Sequence, residues 1–396
     1  MSVSWGDVVG QSAAVAALRA ALAAAEVGHA WLFVGPEGVG SDALARNLAA
    51  ALNCETIGPG AGSPDDGGAA DEGCGQCGTC RRIASGSHLS SRTFEPVGAW
   101  HRVEEVRGTW IPEATRTLPE GRRRVLRVAR ADRMNEATQN AFLKMLEEPP
   151  LATIWVLDAR DTALLLDTVV SRCRRVDLVP WRHEDLVTAA EHLGFEGGDA
   201  DALAAAALGS PDRLRRLADE PGAHDRHLDV VGRLVAEGPG AVVAMSREIV
   251  AWGRERARQL ENELAGRLDE AALAFGVDGP KGTWPPGVKK QIEDAIKREV
   301  RHEPVRCLHQ FCDDLASWLR DLLVAGSATE LVNRDRADQV AADVVALPRS
   351  AIVTGLAAVE ECREAIDRNG QPQLHVERLL MSLALPIWAE ARRHAA

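Results

Sequence analysis

The chain has 396 residues, enough for two or three domains with sizeable cores, and its 46% hydrophobic and 26% charged content is that of a globular protein. A net charge of −12 excludes a protein that coats nucleic acid unaided and leaves room only for local contacts. No apolar run is long enough to span a membrane, and Met1-Ser-Val-Ser-Trp-Gly-Asp7 lacks the basic and apolar regions of an export signal, so a cytoplasmic protein with no membrane partner is expected.

In chain order, an alanine-rich amphipathic helix over Gln11 to Glu26 precedes a buried strand, Ala30-Trp-Leu-Phe-Val34. Gly35-Pro-Glu-Gly38-Val-Gly40-Ser41-Asp42 follows, and a helix runs from Asp42 to Leu52. Strand, glycine loop and helix are the setting of a phosphate-binding loop, G-x-x-x-x-G-K-[ST], in which backbone N–H groups cradle phosphates, the Lys neutralises them and the hydroxyl holds Mg²⁺. Here Ser41 replaces the Lys and Asp42 the hydroxyl residue. A hydroxyl supplies no cation, and a carboxylate repels phosphate, so the loop keeps its shape and loses its affinity. A glycine-rich turn with no nucleotide ancestry is the alternative reading.

Cys74-Gly-Gln-Cys77-Gly-Thr-Cys80, with Cys54 at the end of the preceding helix, makes a closed set of four thiols. Four thiolates suit a structural zinc, and the intervening glycines let the backbone fold around an ion; an iron–sulfur cluster would require a redox role that no other residue supports. Between them, Thr56 to Asp71 is a Gly-, Asp- and Ala-rich insertion, expected to be flexible. Cys173, Cys307, Cys312 and Cys362 are scattered and are expected to be buried thiols without ligand roles.

Further strands are expected near 92–97, 124–129, 153–158 and 175–179, alternating with helices, which predicts a parallel five-stranded sheet flanked by helices. Arginines at 122 to 124, 127 and 130 are read as a solvated face, with an accessory DNA phosphate contact as the alternative. The strand ending at Ala129 and Arg130 lacks the Asp and Glu that would hold Mg²⁺ and activate water in a nucleotide-hydrolysing site, and the polar residue expected after the next strand falls at Ala159. A helix from Asn135 to Glu147, N-capped by Asn135 and carrying Ala137, Ala141, Phe142, Met145 and Leu146 on one face, ends at Pro149-Pro150. After a helix at Thr162 to Val169 and the triplet Ser171-Arg172-Cys173, the chain is almost wholly helical from Pro180, with a loop at 276–288.

Gly28-His-Ala-Trp-Leu-Phe-Val34, Asn140-Ala-Phe-Leu-Lys-Met-Leu-Glu-Glu-Pro-Pro150 and Ser171-Arg172-Cys173, in this order, resemble the AAA+ clamp-loader family, and the degenerate loop and strand end resemble its delta-prime subunits. The resemblance covers roughly the first half of the chain and is architectural over the second. It implies an AAA+ α/β domain with a zinc module over 1–180 (cysteines 54–80), a small helical lid over 181–237 and an all-helical collar over 238–396. It also implies that Arg172, flanked by Ser171 and Cys173, is an arginine finger acting on ATP held by a neighbouring subunit; a surface arginine ending a turn is the other reading. In the lid, Gly209-Ser-Pro-Asp212-Arg213 places Asp212 where active relatives keep a sensor arginine and displaces Arg213 by one position. The implied role is a non-catalytic subunit beside gamma/tau and delta subunits, a sliding clamp and primer-template DNA. An active ATPase subunit of the same assembly and a zinc-dependent nucleic-acid-binding module are the competing expectations; the missing Lys, Asp and Glu weigh against the first and the acidic balance against the second.

Overall fold

The computed structural model describes residues 3–57, 72–96, 98, 100–275, 277, 284, 288–368 and 370–395. Most of the expected insertion at 56–71 and of the expected loop at 276–288 lies outside these residues. The chain divides into two compact units, one of residues 1–185, 209–212 and 267–289 and one of residues 186–208, 213–266 and 290–396.

The first unit is built on a five-stranded sheet of β1 (Ala30–Val34), β2 (Ser91–Phe94), β3 (Arg124–Val128), β4 (Thr153–Ala159) and β5 (Arg174–Asp177), in the order β2-β3-β4-β1-β5. Every pairing is parallel, as the alternation of strands and helices predicts. All five residues of β1 are buried, because a strand in the middle of a parallel sheet is covered on both faces and needs apolar side chains in both directions. The first helix, α1 (Ser12–Ala23), follows a 3₁₀ segment at Trp5–Gln11, and α2 (Ser41–Asn53) begins directly after the glycine loop. β2 stops at Phe94, short of the expected 97.

Phe94, Trp110, Phe142 and Trp155 pack in a chain of ring contacts, stacked at 5.2 Å between the first two and edge-on at 5.7 and 4.7 Å along the rest. Phe142 belongs to the helix Glu136–Glu147, whose N-cap is Asn135 as expected, accepting from the N–H of Thr138 at 2.9 Å. The apolar face differs from the expected one at Ala137, which is exposed. Thr138 and Gln139 are buried in this helix, because their polar groups reach the carbonyls of His101, Met134 and Leu164. The expected helix at 162–169 is a 3₁₀ turn, Thr162–Leu164, followed by a short helix, Asp167–Val170.

The second unit is all helical in its described elements, with most of the long helices Val242–Ala274 and Val288–Val324 and all of Arg349–Asp367 and Pro372–Ala395. Its core gathers Leu228, Val231, Phe311, Leu315, Trp318, Leu319, Val359, Leu379 and Leu383, and Trp318 donates its indole N–H to Asp343 at 3.1 Å. No single helix among the described residues is long and apolar enough to cross a membrane.

Burial pushes His88 and His101 down to about 4. Both lie below the ordinary histidine value near 6.5, so the folded state resists their protonation. Their stabilising effect is complete above about pH 6.5 and is lost as pH falls toward 4. We predict that each removes about 2 kcal/mol between about pH 7.5 and about pH 5. Chemical denaturation at the two values checks this: His101→Gln should lose less stability on acidification than the parent, and an equal loss would contradict it.

Candidate functional site

The glycine loop joins β1 to α2 as predicted, and its geometry depends on glycine at specific positions. Gly38 and Gly40 have φ of +75° and +112°, in the left-handed region that favours glycine. At Gly35 a Cβ would lie 2.4 Å from the carbonyl oxygen of Leu178, so no side chain fits between the loop and the segment after β5. Gln11 Nε2 and Trp181 Nε1 donate to the carbonyl of Val39 at 3.0 and 2.9 Å, and Ser210 Oγ and the Asp212 N–H donate to that of Gly38 at 2.9 and 3.2 Å. The loop is therefore anchored by protein groups on the carbonyls of both residues.

Ser41 and Asp42 open α2, where phosphate chemistry would require a cation and a metal-holding hydroxyl. They face an internal network instead. Arg127, on β3, donates from Nε to Asp158 Oδ2 at 2.7 Å, from Nη2 to Ser41 Oγ at 3.2 Å and from Nη1 to Asp42 Oδ1 at 3.1 Å. Ser41 Oγ donates to Asp158 at 3.1 Å, and Asp42 also pairs with Arg46 one turn along. Burial pushes the Asp158 carboxyl up to about 6 against the pull of Arg127 and Ser41. Arg127 is held charged: burial opposes its charge, but Asp158, Asp42 and Glu95 outweigh burial and raise its pKa.

The positions that would supply a metal ligand and a base hold Ala129, which is buried, and Arg130, which stands 3.8 Å from Glu37 of the loop. A guanidinium accepts no proton at neutral pH, so Arg130 cannot activate water. Ala159 is buried and its carbonyl accepts from the Gly35 N–H at 3.0 Å. The displaced Arg213 is buried against Asp314 at 2.6 Å and donates to the Ala206 carbonyl at 2.7 Å. Burial opposes the charge of Asp314, but Arg213, His224 and His227 hold its carboxyl well below the usual range.

The reading of the central arginines as a solvated face holds for Arg122 and Arg123, which are exposed, and is corrected for Arg124 and Arg127. Arg124 is 1% exposed and donates to the carbonyls of Ala114, Arg116 and Thr117. Arg122 reaches the carbonyls of Leu52 and Cys54, and Arg127 is committed to the network above. Arg122 and Arg124 hold loops and strands together because a guanidinium fork can satisfy several carbonyls at once.

Arg172 follows the short helix Asp167–Val170 and is about one-third exposed. It pairs with Glu147 at 2.7 Å and donates to the Thr168 carbonyl at 2.9 Å, so the Leu-Glu-Glu-Pro-Pro and Ser-Arg-Cys segments meet through this contact. Ser171 is exposed and donates to the same Thr168 carbonyl at 3.3 Å. Cys173 packs against the core, and burial pushes its thiol up to about 12, which keeps it protonated at neutral pH.

Cys54, Cys74, Cys77 and Cys80 converge, with their sulfur atoms all within 4.8 Å of one another and Cys54 and Cys80 buried. The end of α2 delivers Cys54, and Cys77 caps the helix α3 (Gly78–Ala84), which carries Cys80. Backbone N–H groups of Cys74, Cys77 and Cys80 donate to the sulfurs of Cys54, Cys74 and Cys77 at 3.4, 3.3 and 3.4 Å. Burial raises the Cys74 thiol, yet the backbone N–H groups of Cys77 and Gln76 with the side chains of Thr56 and Cys54 outweigh it and bring it down to about 6, favouring the thiolate that binds metal, whereas burial pushes the Cys80 thiol up. The donor set fits a four-coordinate divalent ion of the kind that thiolates hold.

The chain matches the family described as DNA polymerase III, delta subunit, over residues 10–182. The tau subunit of DNA polymerase III from Escherichia coli (strain K12) is 29% identical over 295 residues, covering 68% of this chain and 44% of that protein. The delta' subunit from Pseudomonas aeruginosa is 34% identical over 197 residues, or 49% of this chain and 56% of that one. The gamma/tau subunit from Mycobacterium bovis is 27% identical over 403 residues, or 98% of this chain and 62% of that one. The chain thus spans about half the length of the curated relatives it matches.

The matched residues 10–182 contain the glycine loop, the four cysteines and Arg172. Arg127, Asp158 and Trp181 also belong to the site, although sequence reading assigned them no role there. A partial signal was available for the first two: Arg127 and Asp158 each place a charge inside a strand, and a charge buried in a sheet needs a partner.

Proposed function

We propose that this chain is a non-catalytic, delta-prime-type subunit of a DNA polymerase III clamp loader. It would work beside gamma/tau and delta subunits in placing a sliding clamp on primer-template DNA, and its AAA+ domain would bind no ATP tightly. The observation that carries the reading is a glycine loop whose Ser41 and Asp42 are bound to Arg127 and Arg46, where a working loop offers a lysine and a hydroxyl. Ala129, Arg130 and Ala159 support it, because they supply no metal ligand, base or polar sensor. Residues 181–237 act as the lid and 238–396 as the collar through which the subunit assembles. A catalytically active gamma/tau-type subunit is the second reading, favoured by the tau and gamma names among the relatives. It would have to hydrolyse ATP without the lysine, aspartate and glutamate.

In this role Arg172 serves as a finger in a neighbour's ATP site. The Glu147 carboxylate holds the guanidinium ready at the surface and would release it to a more highly charged phosphate partner. Arginine fingers contribute on the order of 10³ or more to the rate at one site. In an assembly with several sites, Arg172→Ala should therefore lower DNA- and clamp-stimulated hydrolysis only partly while leaving incorporation unchanged. Arg172→Lys should recover little, because a point charge does not reproduce the planar fork. Wild-type clamp loading by an assembled Arg172→Ala complex would reduce Ser171-Arg172-Cys173 to a structural turn.

The cysteine cluster holds one structural Zn²⁺, since a closed four-thiolate site leaves no position for substrate. Elemental analysis should find one zinc per chain, and Cys77→Ser should lower that content and loosen the 54–80 module. Iron in place of zinc, or full zinc retention by Cys77→Ser, would contradict this assignment.

A further inference from the structure

We infer that Arg127 and Asp158 are an internal occupant of the phosphate loop, which excludes nucleotide by groups that are present as well as by the lysine that is absent. The inference deepens the non-catalytic reading and rests on it. Both side chains are 13% exposed, and both come from the sheet, Asp158 from the position of β4 that faces Phe33 of β1 and Arg127 from β3. They meet the first two residues of α2, where a bound phosphate would have to sit. The guanidinium spends its Nε, Nη1 and Nη2 donors on Asp158, Asp42 and Ser41 in turn.

The charges balance within the network. Arg127 and Arg46 oppose Asp158 and Asp42, so no excess cation faces the loop, and an incoming phosphate would meet two carboxylates. Entry of phosphate would also pull Arg127 away from Asp158 and leave a buried carboxylate without its partner, the costly way to break a buried pair. At the far side of the loop, Trp181 seals the backbone. A Cβ at Gly10 would lie 2.4 Å from its indole, and the indole N–H holds the Val39 carbonyl. With protein groups at both ends, the loop keeps one conformation without a ligand.

An ordinary vestigial loop makes a different forecast from an occupied one. In a vestigial loop, Ser41→Lys with Asp42→Thr rebuilds the phosphate-binding sequence and restores affinity. In an occupied loop it does not, because Lys at 41 meets Asp158 while Arg127 stays paired. Adding Asp158→Ala removes the anion and frees Arg127 for phosphate. Titration of Mg-ATP into the full-length variants should give binding at least about tenfold tighter for the triple substitution than for the double one. Equal binding by the two would overturn the inference.

Folding of the triple variant is not required for a decision. In a thermal double-mutant cycle, Arg127→Met and Asp158→Leu should each lower the melting temperature, and the two together should lower it by less than the sum. Additive losses would overturn the inference. Tight Mg-ATP binding by the unsubstituted chain would instead overturn the non-catalytic reading itself.

Discussion

A guanidinium set among the strands of a parallel sheet must be paired, and the way Arg127 is paired organises the rest of the candidate site. The central strands β1, β3 and β4 are buried on both faces, so an unpartnered charge there would be prohibitive. Asp158, Ser41 and Asp42 supply the partners, and they are residues that a nucleotide-binding chain would keep for, or clear away from, the phosphate. Under the proposed role, the same network that makes the sheet tolerable makes the loop unavailable. In that role, stability and loss of nucleotide chemistry share one cause.

This constraint explains how the loop keeps its shape without a ligand. Glycine loops are costly to order, because several residues adopt conformations that other side chains avoid. Hydrogen bonds from Gln11, Trp181, Ser210 and Asp212 to the carbonyls of Val39 and Gly38 offset that cost here. The first unit can then serve as a rigid platform, with the cysteine cluster at the far end of α2 and Arg172 after the last crossover. Under the proposed role, that rigidity suits a subunit whose contribution is a correctly placed arginine, since its own site has no cycle of binding and hydrolysis to follow.

Much of this was legible in the sequence, for identifiable reasons. Ala30–Val34 and the run at 154–157 are continuous apolar stretches, the glycine spacing between strand and helix is unusual, and C-x₂-C-x₂-C is a compact ligand pattern. The four sulfurs do converge, including the distant Cys54, because α2 ends where the cysteine turn begins. Less legible were the arginines. A run such as Arg122-Arg-Arg124 has the composition of a solvated face, and only the tertiary structure shows Arg124 threaded among three carbonyls. Ala137 fits a helical apolar stripe by spacing, yet the buried positions beside it go to Thr138 and Gln139, whose polar atoms find carbonyl partners that no periodicity reveals. Arg127 and Asp158 come from separate strands, so their pairing depends on sheet order, which local pattern does not encode.

Hydrogen exchange of the backbone amides at 35–42 in the full-length chain, measured while Mg-ATP is titrated to millimolar levels, tests the central claim most directly. The account predicts no change in the exchange of these amides across the titration, since Arg127 and Asp158 already fill the mouth of the loop. Saturable new protection of these amides at micromolar Mg-ATP would contradict it.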